Sequence, residues 1–148
     1  MKRFYAYLVL VLLAFACDDT SESVIPSYRV YLELNLNIYT SLKTQGGYEL
    51  ITKRPNESSY IGYGGVLVVC TYDGNYYAYD LACPYDKNPG IKLNINSEMK
   101  AVCNKCGSEF NGIFWGNKAP TAGPALKGAL TLRNYTVFIS NDKIQIIN

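Results

Sequence analysis

The fold is decided by two stretches, DGNYYAYDLACPY (residues 73–85) and AVCNKCGSEF (residues 101–110). In the first, an Asp-Gly-Asn turn predicts a hairpin whose returning strand, Tyr76 to Asp80, runs straight into Cys-Pro-Tyr. In the second, the motif Cys-x-x-Cys-Gly-Ser stands between two short strands. We therefore predict that both cysteine motifs lie at hairpin ends. They are separated by 17 residues (86–102), in a chain with no histidine.

The remainder of the chain also reads as short strands. Residues 29–39 alternate, with Val30, Leu32, Leu34, Leu36 and Ile38 on one predicted buried face. Further strands are predicted in 48–52, 66–72, 91–95, 130–132, 135–140 and 143–147, and residues 116–124 are predicted to form a Gly/Pro/Ala loop. No ten-residue stretch has a convincing helical period. Frequent turn signals between short strands are typical of an all-β sandwich or barrel.

The two cysteine motifs and their flanking strands resemble those of the Rieske [2Fe–2S] domain superfamily. The likeness covers residues 28–148 and implies a Rieske-like antiparallel β-sandwich or barrel with two ligand-loop hairpins. The family pattern is C-x-H followed by C-x-x-H-G-S; here Tyr85 and Cys106 stand in place of the two histidines. A subgroup of cell-envelope lipoproteins has a similar pair of motifs, with CPYD in the first loop and C-x-x-C-G-S in the second.

The resemblance implies a ligand set for a [2Fe–2S] cluster. By position, Cys83 and Cys103 would hold one iron, while Tyr85 and Cys106 would be left for the other. The other implied cofactor-binding positions are Ser108, whose hydroxyl would bond to cluster sulfur, and the covering loop at Gly123 and Pro124. Thiolate and phenolate ligands carry more negative charge than imidazoles, so we expect a low reduction potential for such a cluster.

Two other outcomes for the cysteines stay open. A disulfide or a set of free thiols is the simplest outcome in an oxidising compartment. Residues 103–107 also have the shape of a zinc knuckle, but zinc takes four ligands and only Cys83 is an obvious third. Cys70 lies in the middle of a predicted strand, so we expect it to be a small core residue.

The N-terminus predicts export and lipidation. Lys2 and Arg3 precede an apolar run, Phe4 to Ala16, which is too short for a bilayer span but suits a signal peptide. Small residues before Cys17 resemble a bacterial lipoprotein cleavage site. We therefore predict a signal peptide in residues 1–16, a lipidated Cys17 and a polar tether in residues 17–27. An ordinary secretory peptide or an uncleaved anchor are the alternatives. The predicted location is the bacterial cell envelope, facing the periplasm or the outer surface.

Charge and composition limit the function. Removal of Lys2 and Arg3 with the leader leaves 12 basic residues against 12 acidic ones, which gives no indication of a nucleic-acid partner. The lack of histidine excludes Ser/His and Cys/His catalysis. The leading hypothesis is a membrane-anchored electron carrier with an unidentified redox partner. The alternative is a clusterless envelope module with a binding or structural role. We do not expect either to be an enzyme, although the sequence alone does not decide this.

Aromatic residues leave one further question open. The 14 tyrosines either form a sugar-binding surface or simply reflect β-propensity, and the second explanation is sufficient. Trp115 lies beside Gly112 and Gly116, so it is either exposed at a loop end or packed as a core or edge residue. We expect it to be packed.

Overall fold

The computed structural model describes residues 23–148 and folds them into antiparallel β-structure. Two short 3₁₀ helices, η1 (Thr40–Lys43) and η2 (Ile113–Trp115), and an α-helix, α1 (Gly123–Lys127), interrupt the strands. The strands are β1 (Val30–Asn35), β2 (Tyr48–Ile51), β3 (Tyr60–Ile61), β4 (Val66–Cys70), β5 (Tyr76–Asp80), β6 (Asn94–Ile95), β7 (Ala101–Val102), β8 (Glu109–Phe110), β9 (Asn134–Ser140) and β10 (Lys143–Ile147). The prediction of an all-β domain is confirmed.

Seven strands form one large antiparallel sheet in the order β2-β4-β5-β9-β10-β1-β3. This sheet curls into a nearly closed barrel. The remaining strands form a small sheet in the order β6-β7-β8. The central pairing of β1 with β10 places Leu34 opposite Ile144, and both side chains are fully buried. The alternating pattern of β1 therefore points one row of apolar side chains into the barrel, as the sequence predicts.

Strand β4 has two buried faces because it belongs to two cores. Val66 and Val68 pack with the apolar residues of β1 and β10. Leu67 and Val69 pack on the opposite face, with Cys83, Cys103 and the apolar residues near the small sheet. All five residues of this strand are buried, which accounts for its unbroken apolar sequence. The second core brings both cysteine motifs against the outside of the barrel.

A buried carboxylate fixes the point at which the chain leaves β5 for the first cysteine motif. Asp80 accepts hydrogen bonds from the backbone N–H of Gly64 (3.0 Å) and of Ala82 (2.7 Å). It also accepts one from the Tyr135 hydroxyl, at 2.5 Å. A side chain at residue 64 would come within 2.4 Å of the Ala82 nitrogen, so only glycine permits this approach. The turn before β4 is thereby joined to the chain just ahead of Cys83.

The first predicted strand was too long. It ends at Asn35, and Ile38, predicted to lie on its buried face, is 75% exposed. The Asn35 side-chain oxygen accepts the N–H of Asn37 (2.9 Å), while its carbonyl accepts that of Ile38 (2.9 Å). Asparagine's capacity to bond to the backbone two residues on produces a turn that the alternating pattern does not reveal.

Two predictions near the C-terminal half are also corrected. Residues 123–127, predicted partly as loop, form helix α1, with Pro124 in its first turn, where proline is tolerated. Residues 130–132 are not a strand; the Leu130 N–H bonds instead to the carbonyl of Ala125 (2.9 Å) and closes the turn after α1. The strand predicted at 91–95 is reduced to β6, Asn94–Ile95. Trp115, expected to be packed, is 68% exposed.

The predicted signal peptide (1–16), Cys17 and the first part of the tether lie outside the described residues. In the described part of the tether, Ile25 is buried and its carbonyl accepts a hydrogen bond from Arg133 Nε (2.8 Å). The packed domain therefore begins before residue 28. Within residues 23–148, no helix is both long and apolar enough to cross a membrane.

Candidate metal centre

The two cysteine motifs form loops of the same shape. In the first, the N–H of Lys87 bonds to the carbonyl of Cys83 (2.9 Å), and in the second the N–H of Gly107 bonds to that of Cys103 (2.8 Å). Each loop is therefore a single turn closed four residues after its first cysteine. The second loop joins the paired strands β7 and β8, as predicted. The first is closed by a bridge between Ala82 and Lys92.

Three thiols and one carboxylate converge between the two loops. The Sγ atoms of Cys83 and Cys106 lie 3.6 Å apart. The Sγ atom of Cys103 lies 3.3 Å from a carboxylate oxygen of Asp86. All four donor atoms lie within 4.8 Å of one another, so these residues can hold a metal ion. Each loop contributes two donors, one from each end of its turn.

The environment of the donors is largely closed to solvent. Cys83 and Cys103 are fully buried, the Asp86 side chain is only 6% exposed, and Cys106 is half-buried. Burial raises the pKa of both the Cys83 thiol and the Cys103 thiol. Without a cation the thiols are thus held in the protonated form, and a bound metal would take the place of their protons.

Asp86 stays ionised in this setting because of its partners. Burial alone would raise the pKa of its carboxyl group, but the hydrogen bonds from Lys105 and from the thiols outweigh burial and lower that pKa. Lys105 Nζ lies 3.0 Å from the second carboxylate oxygen, while the lysine side chain itself is mostly exposed. The carboxylate is therefore charged, and the ion pair orients it toward the thiols.

Helix α1 supports the second loop from behind. The buried Ser108 hydroxyl lies 3.1 Å from Cys106 Sγ and accepts the Ala125 N–H at 3.0 Å. Gly123, with φ +75°, brings its backbone against the loop, since a side chain there would come within 2.5 Å of the Gly107 carbonyl oxygen. Ser108 and Gly123 thus contact the loop that carries Cys106. Pro124 follows in the first turn of α1.

The structure brings together three of the four predicted metal ligands, Cys83, Cys103 and Cys106. Tyr85 is 49% exposed, and the donor that the first loop contributes beside Cys83 is the next residue, Asp86. Asp86 was missed, although Cys-Pro-Tyr-Asp repeats the spacing of Cys-Asn-Lys-Cys with a carboxylate in the last place. Cys70 lies apart from this group, buried in β4, as expected.

No disulfide joins these cysteines in the part of the chain that the structure describes; Cys70, Cys83, Cys103 and Cys106 are all free. No protein-family model matches the chain, and no curated protein matches it either. The resemblance to the Rieske superfamily therefore remains a proposal drawn from the motifs and their spacing.

Proposed function

We propose that this chain is an envelope lipoprotein whose Rieske-like β-domain holds a single structural zinc ion in place of a two-iron cluster. The ligands are the three thiolates of Cys83, Cys103 and Cys106 and the carboxylate of Asp86. The domain then serves as a metal-stabilised, non-catalytic module. The observation that carries the proposal is the convergence of these four donors within 4.8 Å.

The spacing of the donors fits one ion. Zinc–sulfur bonds of about 2.3 Å in a tetrahedron place two sulfurs about 3.8 Å apart. The Sγ atoms of Cys83 and Cys106 lie 3.6 Å apart, close to this value. A two-iron cluster interposes two irons and two sulfides, and it needs two ligand pairs set well apart. Four mutually close donors do not meet that requirement, and the half-exposed Tyr85 does not extend the set.

The donor types also favour zinc. Zinc accepts thiolate and carboxylate oxygen together, and structural zinc sites use four protein ligands with no open position. Three thiolates and a carboxylate would bring four negative charges to a divalent ion, and Lys105 offsets part of the excess through its ion pair with Asp86. When bound, the metal would supply a cross-link between two loops that otherwise meet only through side chains.

Attachment to the envelope is the second part of the proposal. The apolar run ending at Cys17 suits lipoprotein processing, and lipid chains on that residue would anchor the domain firmly. Export also favours zinc over an iron–sulfur cluster, since a chain threaded unfolded would have to acquire iron and sulfide afterwards. Zinc needs only the free ion.

Electron transfer by a [2Fe–2S] cluster is the competing candidate, and one contact in the site is consistent with it. The Ser108 hydroxyl lies 3.1 Å from Cys106 Sγ, where a hydrogen bond to sulfur would tune a cluster. The same contact also orients a zinc-bound thiolate, so it does not distinguish the two cofactors. Assays for iron and acid-labile sulfide distinguish the zinc ion from the cluster.

Cobalt substitution tests the proposed site directly. The domain without its leader, freed of metal under reducing conditions, is titrated with Co²⁺, which gives intense visible absorption in tetrahedral thiolate sites. We expect saturation at one equivalent, and displacement of the cobalt by Zn²⁺. Cys106→Ser should weaken the absorption and lower cobalt affinity at least tenfold, while Cys70→Ser, a matched change outside the cluster, should leave the titration intact. Saturation at two equivalents, or equal loss in Cys70→Ser, would contradict the proposal.

A further inference from the structure

A second concave site lies on another part of the domain, where the chain leaves η2 and runs back along strands β5 and β9. It is an open cavity of about 370 Å³. This volume is within the range of small-molecule pockets, which starts at roughly 300 Å³. None of the four metal-site donors lines it. The lining residues used below are Tyr77, Trp115, Gly116, Asn117, Lys118 and Asn134.

The most unusual wall of this cavity is an exposed tryptophan. Trp115 is 68% exposed, whereas the preceding residue, Phe114, is buried in the second core. The Trp115 ring packs against Tyr72, with 5.0 Å between ring centroids, and Tyr72 packs in turn against Phe114 at 5.8 Å. This chain of ring contacts supports the indole from one side. The large apolar surface of the Trp115 indole is thus exposed to solvent instead of being buried in the core.

Gly116 allows a second aromatic ring, that of Tyr77, to line the site. Its φ of +75° turns the chain immediately after Trp115. A side chain at this position would come within 2.5 Å of the Tyr77 ring, so the glycine allows that ring to lie directly on the backbone. Trp115 and Tyr77 therefore both border the same cavity.

Polar side chains also line the cavity, namely those of Asn117, Lys118 and Asn134. The Asn117 side-chain oxygen accepts the N–H of Ala119 (2.8 Å), which fixes the orientation of the amide. The Asn134 side-chain oxygen lies 3.5 Å from Lys118 Nζ. Amides offer both donors and acceptors in one plane, a combination that matches adjacent hydroxyl groups. Among residues 23–148, no aspartate or glutamate lines the site, so the lining does not favour a cationic ligand; the charged group that lines it, the Lys118 ammonium, bonds to the Asn134 side chain.

We propose that this cavity binds a neutral saccharide. One face of a pyranose ring carries polarised C–H bonds, which complement the negative face of an indole. Its hydroxyl groups need paired donors and acceptors, which the asparagine amides supply. A flat apolar face with polar edges is therefore matched by a lining that combines the aromatic rings of Trp115 and Tyr77 with the amides of Asn117 and Asn134. The inference does not depend on the identity of the metal.

Tryptophan fluorescence tests this proposal because Trp115 is the single tryptophan of the chain. The domain is titrated with hexasaccharides of β-1,4-glucose, α-1,4-glucose, β-1,4-N-acetylglucosamine and α-1,6-mannose, up to millimolar concentration. We expect a saturable change in the emission with at least one of them. Calorimetry with the same sugar measures the affinity independently of the fluorophore.

Two variants and one control assign the binding to the cavity. Trp115→Ala, followed by calorimetry, and Asn134→Ala, followed by fluorescence, should each lower the affinity at least tenfold. Phe138→Ala removes another exposed aromatic side chain, 51% exposed on β9, and should leave the affinity unchanged. Circular dichroism verifies that each variant is folded. The proposal is overturned if none of the four sugars binds, or if Trp115→Ala binds the sugar as well as the parent does.

Discussion

Asp86 holds in the first loop the position that Cys106 holds in the second: each follows a buried cysteine by three residues and lies at the end of the same closed turn. The two loops are thus equivalent half-sites, one Cys-x-x-Asp and the other Cys-x-x-Cys. This equivalence explains why four donors meet between them, although the chain has no histidine and residues 23–148 hold no fourth cysteine near the two loops.

The contact between α1 and the second loop should depend on Gly123. Gly123→Ala would place a methyl group within 2.5 Å of the Gly107 carbonyl oxygen, so we expect the helix to be displaced and metal affinity to fall. Gly107→Ala is the matched control: its φ is also positive (+74°), but nothing lies within 4 Å of the added methyl. It should cost about 1–2 kcal/mol of unfolding free energy from backbone strain alone. Equal losses in the two variants, measured by urea unfolding, would argue against the close contact.

Ser108 should contribute to stability through its buried hydroxyl. Ser108→Ala leaves the Ala125 N–H without its hydrogen-bond acceptor, and an unsatisfied buried donor costs about 1–3 kcal/mol. Urea unfolding of the metal-loaded domain measures the loss. Ser140→Ala, an exposed serine at the end of β9, serves as control and should be neutral. If Ser108→Ala were neutral as well, the support of the second loop by α1 would have to be abandoned.

The Tyr135–Asp80 pair predicts a loss of stability at alkaline pH. Burial first, and then the Asp80 carboxylate, raise the pKa of the Tyr135 hydroxyl. The protonated Tyr135 hydroxyl therefore makes its full contribution to the free energy of unfolding below a pH of about 10, the pKa of tyrosine in the unfolded chain. Above that pH the tyrosine ionises in the unfolded chain first, and the contribution is lost. Tyr135→Phe should reduce this alkaline loss, while at neutral pH it removes a hydrogen bond and lowers stability by about 1–3 kcal/mol.

Urea unfolding from pH 7 to pH 11 measures both effects. The exposed Tyr28→Phe is the control and should keep the alkaline loss of the parent. A Tyr135→Phe variant whose pH dependence matched the parent would show that this pair is not its source. Tyr79, whose pKa burial also raises, should maintain part of the alkaline loss in every variant.

Lipidation at Cys17 is tested by fractionation. Cys17→Ser in the full chain, expressed in a bacterial host, should release the domain from membranes or leave an unprocessed precursor of higher mass. The proposed reason is that only a cysteine at this position can receive the lipid. Cys70→Ser, in the folded domain, is the control and should stay with the membrane. Membrane association of the Cys17→Ser protein at unchanged mass would contradict lipid anchoring through Cys17.

The sequence predicted most of the scaffold because alternating side chains report directly on a half-buried sheet. Strand β5 was placed at its observed bounds, Tyr76–Asp80, and the buried face of β1 was correct up to Leu36. Errors arose where short-range polar bonds decide the conformation, as at the turn after Asn35. Helix α1, at five residues, is too short to show a period.

The site was predicted in part for a different reason. The placement of both motifs at hairpin ends and the family resemblance indicated that Cys83, Cys103 and Cys106 converge, but the family pattern also directed attention to Tyr85. The loop closes at Lys87, so it is the third residue after the cysteine, Asp86, that contacts the thiols. Likewise, Trp115 is held in its exposed position by ring contact with Tyr72. Tyr72 lies 43 residues earlier in the chain, so no local sequence pattern predicts this contact.

The most direct test of the central claim is the metal and acid-labile sulfide content of the native protein, purified without oxygen and without added metal. We expect one zinc per chain, no labile sulfide, and loss of the zinc in Asp86→Asn but not in Cys70→Ser. Two irons and two sulfides per chain, retained in Asp86→Asn, would contradict this claim and establish the electron carrier instead.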